Sequence, residues 1–137
     1  MITWDESMST GVALIDAQHK MIFQKFNEFS EAISGGVSHE AAAEILDFLQ
    51  FYANWHFGRE EQCMDEYHCP AAAQNKQAHA EFLITFNGFY EQWQAGTISP
   101  ELVSNTYREL ESWLINHVAR TDTQLRPCVE KGAGSRS

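Results

Sequence analysis

Apolar residues recur every three or four positions in four long stretches of this chain, and glycine or proline closes each stretch. That period puts the apolar residues on one side of an α-helix; strands would need a period of two. The first stretch starts near Asp16, a predicted N-cap, carries Ile22, Phe23, Phe26, Phe29 and Ile33, and stops at Gly35-Gly36. The second follows Ser38 with Ile45, Leu49, Tyr52, His56, Glu60, Cys63 and Tyr67 on its stripe. The third follows Pro70, carries Asn75, His79, Phe82, Phe86, Phe89 and Trp93, and stops at Gly96. The fourth opens with Ser99-Pro100-Glu101, an N-cap, a proline at the first position and an acid in the first turn. It carries Leu102, Thr106, Leu110, Trp113, Leu114 and His117 and is predicted to run to Leu125, with Pro127 as its stop.

Helices of roughly 20 residues with short links favour an all-α, antiparallel up-down-up-down four-helix bundle. Residues 1–15 read as an extended N-terminal arm whose Trp4, Val12 and Leu14 cover the bundle. The bundle domain is expected to span residues 1–126, with a flexible C-terminal tail at 127–137 that ends EKGAGSRS.

The chain has 137 residues, of which 44% are hydrophobic, so it can build one real core. Its net charge of -10 argues against nucleic acid and against anionic membranes. No apolar run approaches the ~20 residues that span a bilayer. The N-terminus MITWDESM lacks the basic and apolar regions of a signal peptide. Cys63, Cys69 and Cys128 are odd in number and form no C-x-x-C pair, so no disulfide scaffold is expected and a cytoplasmic location is the default.

Four of the six histidines, His19, His56, His79 and His117, fall on the inward stripes, one per helix. His39 and His68 lie near helix ends in polar company. A single inward histidine is ordinary core chemistry, but an inward carboxylate is not, because an unpaired buried charge is costly. Glu60 follows His56 by four residues and shares its face. Asp122 follows His117 by five, about 140° away in azimuth, so the helix must distort there or Asp122 must swing in. A local π-type wide turn would do this. Four imidazoles with two carboxylates and no thiolate imply a nitrogen-and-oxygen site for iron, zinc or manganese. Each carboxylate has two oxygens, which suits the bridging of two metals.

The elements IDAQHK (15–20), YANWHFGREEQCM (52–64), NKQAH (75–79) and WLINHVARTD (113–122) resemble the hemerythrin family, in particular its single-domain bacterial members. They cover nearly the whole chain in the family's order. The resemblance implies a bundle holding a non-haem di-iron centre, bridged by oxo or hydroxo, that binds O2 or another small diatomic ligand reversibly. By position, His19 and His56 would hold the iron open to O2, Glu60 and Asp122 would bridge, and His79 and His117 would hold the other iron. Leu114 stands where the family places a leucine beside O2, with Trp113 and Phe23 beside it. Phe57, Phe82 and Trp55 are further candidates for a dry wall. Glu61 turns about 100° from Glu60, toward solvent or behind a ligand.

One position departs from the family. A histidine is expected one turn before His79, and the residue there is Asn75. An amide oxygen is a weaker, neutral donor. Asn75 can ligate weakly, orient a water in a vacant position, or leave that iron under-occupied. The expected function is O2 storage, transport or sensing rather than catalysis. A di-iron oxidase or peroxidase-like enzyme and the sensor module of a signalling protein are the alternatives. Ferritin-like oxidases match poorly, because they use Glu-x-x-His pairs on two helices and none occurs here. The H-E-x-x-H of zinc hydrolases is also absent.

Overall fold

The computed structural model describes residues 2–35, 39–96 and 99–135, the last four of these as backbone only. Gly36 and Ser38, expected to close the first helix and precede the second, lie outside the described residues. Four long helices form: α1 (Ala13–Ser34), α2 (His39–Glu66), α3 (Ala72–Ala95) and α4 (Pro100–Arg120). A shorter α5 (Leu125–Ser135) follows. Helix α1 packs on α2, α2 on α3, α3 on α4 and α4 back on α1, which closes the antiparallel bundle. No described helix is long and apolar enough to cross a membrane.

The local signals that hold are the ones with a hydrogen bond behind them. Ser99 caps α4 by accepting from the Leu102 N–H at 3.2 Å, with Pro100 next in line. Gly96 closes α3 at φ 70°, a left-handed conformation that glycine adopts without a Cβ penalty. Helix α2 ends with His68 in the same region at φ 50° while the Cys69 N–H reaches back to the Met64 carbonyl at 2.8 Å.

Other expectations need correction. Helix α1 begins at Ala13, and Asp16 lies inside its first turn rather than at the N-cap. Its carboxylate reaches back instead, accepting from the Thr10 N–H at 2.8 Å, the Thr10 hydroxyl at 2.8 Å and the Ser9 hydroxyl at 2.7 Å. The arm is thereby pinned to the helix, with Ile2 and Met8 in the core and Leu14 exposed. Gly11, at φ 78°, lets this segment pass close to Arg126 of α5. Helix α4 stops at Arg120 rather than Leu125, and Pro127 sits inside the first turn of α5, where its missing N–H costs nothing. Residues 127–135, expected as tail, belong to that helix. A disulfide joins Cys69 to Cys128 with the Cα atoms 5.6 Å apart, against the expectation of free thiols; Cys63 alone is free.

Two apolar clusters result. The larger fills most of the bundle with Phe23, Phe26, Phe29, Phe82, Phe86, Phe89, Trp93, Leu110 and Leu114 among its members. The smaller, Met64, Cys69, Ala71 and Leu125, closes the end where α2 turns into α3. Each fully buried Phe or Leu contributes about 1.5–3 kcal/mol relative to exposure. The buried polar residues include His19, His56, Glu60, Asn75, His79, His117 and Asp122.

Candidate metal centre

Each of the four long helices delivers one histidine to the same buried place. His19 comes from α1, His56 from α2, His79 from α3 and His117 from α4, and all are buried, as are Glu60 and Asp122. Asp122 arrives by a route the sequence left open. No π turn forms; α4 ends, Thr121 turns the chain, and a short 3-10 segment at Asp122–Gln124 swings the carboxylate inward. His19 Nε2 lies 3.0 Å from Glu60 Oε2 and 3.0 Å from Asp122 Oδ2. His56 Nε2 lies 3.3 Å from Glu60 Oε2, and His79 Nε2 lies 3.3 Å from Glu60 Oε1. His117 Nε2 lies 3.0 Å from Asp122 Oδ1. Two groups of donors follow, His19–His56–Glu60–Asp122 and Glu60–His79–His117–Asp122, each with its donor atoms within 4.8 Å of one another.

Neighbours orient the rings. His56 Nδ1 pairs with Gln18 Oε1 at 2.7 Å and His79 Nδ1 with Glu61 Oε2 at 3.1 Å, which turns both Nε2 atoms toward the centre. Sequence reasoning missed Gln18, although its spacing of three from Ile15 and four to Ile22 marks a polar residue on an apolar stripe. Phe57 stacks on His79 at 3.9 Å between centroids, and Trp113 on His117 at 4.3 Å. Leu114 and Phe23 are buried nearby in the large cluster, whereas Trp55 is 42% exposed and is no part of a dry wall. Cys63 is half-buried.

Asn75 is fully buried. Its Nδ2 donates to Glu60 Oε1 at 2.8 Å and touches Met64 Sδ at 3.3 Å, while its Oδ1 has no partner.

The electrostatics show what this chain lacks without a cation. Burial opposes the charge on His19, but hydrogen bonds and Coulombic attraction from Asp122 and Glu60 prevail and raise its pKa to about 10. His79 is likewise raised against its burial, chiefly by Glu60. Burial also opposes ionisation of Glu60, yet its contacts with Asp122 and the three imidazoles hold it well below the usual carboxylate range. For His56 burial wins and the pKa falls, so the ring is neutral. With Nδ1 engaged by Gln18, the His56 Nε2 lone pair then faces a carboxylate oxygen. Two acceptors held together in a dry pocket call for a cation between them. Buried His79 Nε2 and His117 Nε2 likewise face carboxylate oxygens, at 3.3 and 3.0 Å, without hydrogen-bond geometry. A nitrogen-and-oxygen donor set without thiolate fits iron.

A four-helix bundle with two histidine pairs and two shared carboxylates is the centre of a non-haem dinuclear metalloprotein. The chain belongs to the hemerythrin family: residues 10–129 match the family model described as the hemerythrin HHE cation binding domain. It is 31% identical over 122 residues to a bacteriohemerythrin of Pseudomonas aeruginosa, covering 88% of this chain and 76% of that protein. A bacteriohemerythrin of Methylococcus capsulatus is 28% identical, with 94% and 97% covered. A myohemerythrin of Theromyzon tessulatum is 24% identical, with 90% and 89% covered. A crystal structure of wild-type hemerythrin superposes with a TM-score of 0.84 at 27% identity, covering 93% of this chain and 97% of that one. The family binds a di-iron centre with O2 as its ligand, and among the described residues the two donor groups above could hold the metals.

Proposed function

We propose that this chain holds two non-haem irons through His19, His56, His79, His117, Glu60 and Asp122 and binds O2 there reversibly, as a storage, transport or sensing protein. The observation that carries the reading is the division of Glu60. Its Oε2 faces His19 and His56, and its Oε1 faces His79. Asp122 repeats the division, with Oδ2 toward His19 and Oδ1 toward His117. Carboxylates split this way between two histidine pairs suit a pair of cations. Iron held by these residues would supply the redox chemistry that reversible O2 binding requires.

The chain's own residues do the rest. Gln18 and Glu61 hold His56 and His79 with their Nε2 atoms inward. Leu114, Phe23, Phe57 and Trp113 exclude water from one side, and Met64 and Leu125 from the other. Asn75 stands where the family has a fifth histidine and serves here as a hydrogen-bond donor to Glu60. The test is iron analysis together with the visible spectrum of the reduced protein before and after air. Two irons per chain and a band that appears with O2 and vanishes under vacuum support the reading. Steady O2 consumption with a reductant would instead make the protein an oxidase.

A further inference from the structure

Each donor group contains two imidazoles and the same two carboxylates, so neither half of the centre is better furnished than the other. Iron sites with few protein donors keep positions open to outside ligands, as sites with two histidines and one carboxylate do. Asn75 shares an oxygen of Glu60 with His79, and its amide is already committed. Its NH2 group is held by Glu60 Oε1 at 2.8 Å and by Met64 Sδ at 3.3 Å. Swapping the amide's ends would set its oxygen against a carboxylate oxygen, so the orientation is fixed by charge. The other end of the amide, Oδ1, is fully buried and has no partner. A buried acceptor without a partner costs about 1–3 kcal/mol, unless a ligand or water satisfies it.

We infer that the His79–His117 half carries its own exchangeable ligand position beside Asn75, so that the loaded protein takes two small external ligands per chain. The inference rests on the di-iron reading above. The resident ligand is small and protic, water being the smallest, with its proton directed at Asn75 Oδ1. A small anion displaces it.

The probe is azide, titrated into the iron(III)-loaded protein and followed by visible absorption and by calorimetry. Two azides per chain are expected for the wild type and for Asn75→Ala, which removes the amide without adding a donor. One is expected for Asn75→His, whose imidazole fills the position. A single azide per wild-type chain overturns the inference, as does a second azide that appears only in Asn75→Ala, which would make Asn75 itself a ligand. Failure of the wild type to retain iron at all would instead overturn the di-iron reading.

Discussion

Asn75 and His79, one turn apart on α3, converge on the same oxygen of Glu60, at 2.8 Å through Nδ2 and 3.3 Å through Nε2. The two contacts have different futures when a cation arrives. His79 can exchange its proton for a metal, because an imidazole nitrogen is either a donor or a ligand. An amide nitrogen cannot, so Asn75 stays a donor and keeps part of the Glu60 oxygen engaged. Position 75 therefore acts on the donor set through Glu60.

Gln18 acts in a comparable way on the other half. It fixes the tautomer of His56 through a 2.7 Å contact. Substituting Gln18→Leu keeps the volume but removes the acceptor. Metal affinity should fall about 10–100-fold, the usual effect of losing an outer hydrogen bond to a ligating histidine. Chelator competition measures this, and helical content should be unchanged. An affinity within twofold of wild type would rule out the orienting role.

Loading should release protons. In the metal-free chain His19 titrates at about 10, above its ordinary 6.5, so it is protonated at neutral pH. Its raised pKa stabilises the metal-free fold fully below pH 6.5, and that contribution is lost as pH rises through about 10. A cation must displace this proton, so apparent affinity should rise with pH between 7 and 9. Adding Zn2+ to chelator-stripped protein in weak buffer at pH 7.5 should acidify the solution, and urea titrations of the stripped protein should show lower stability at pH 10.5 than at pH 7. Uptake of metal with no pH change would contradict a protonated His19.

The helical period made the bundle legible, because burial of one face follows from spacing alone. Five of the six inward donors lie on long helices, where position in sequence fixes direction in space. Asp122 was harder: its side chain enters only because α4 stops at Arg120 and a 3-10 turn redirects the chain. The five-residue step in HVARTD requires a distortion but does not say which form it takes. The pairing of Cys69 with Cys128 was equally hidden, since 59 residues separate them and only the docking of α5 brings their Cα atoms to 5.6 Å. Asp16 misled for a different reason. An acid near a helix start resembles an N-cap, while here the same oxygens tie down the preceding arm.

The disulfide should contribute measurably to stability. It closes a loop across 59 positions and anchors α5, which follows directly from the turn that bears Asp122. Removing it as Cys69→Ser with Cys128→Ser should cost about 2–4 kcal/mol in urea unfolding, since the cross-link restricts the unfolded chain. Dithiothreitol should lower the wild type by a similar amount and leave the double variant unmoved. Equal stability with and without reductant would exclude a stabilising cross-link.

Leu114 lies one turn before His117 on α4 and is buried within the large cluster. Truncation to alanine removes apolar contacts and leaves a cavity, at a cost of about 2–5 kcal/mol for a buried leucine. The cavity adjoins the ring of His117, which Trp113 covers on one face. Water gains access there, and water raises the local dielectric and supplies protons to whatever is bound. Leu114→Ala should therefore load iron to the wild-type stoichiometry, yet its O2-dependent band should bleach several-fold faster in air. Stopped-flow absorption gives the rates, and iron analysis controls for simple loss of metal. A variant as long-lived as wild type would remove Leu114 from the dry wall and leave it a core residue.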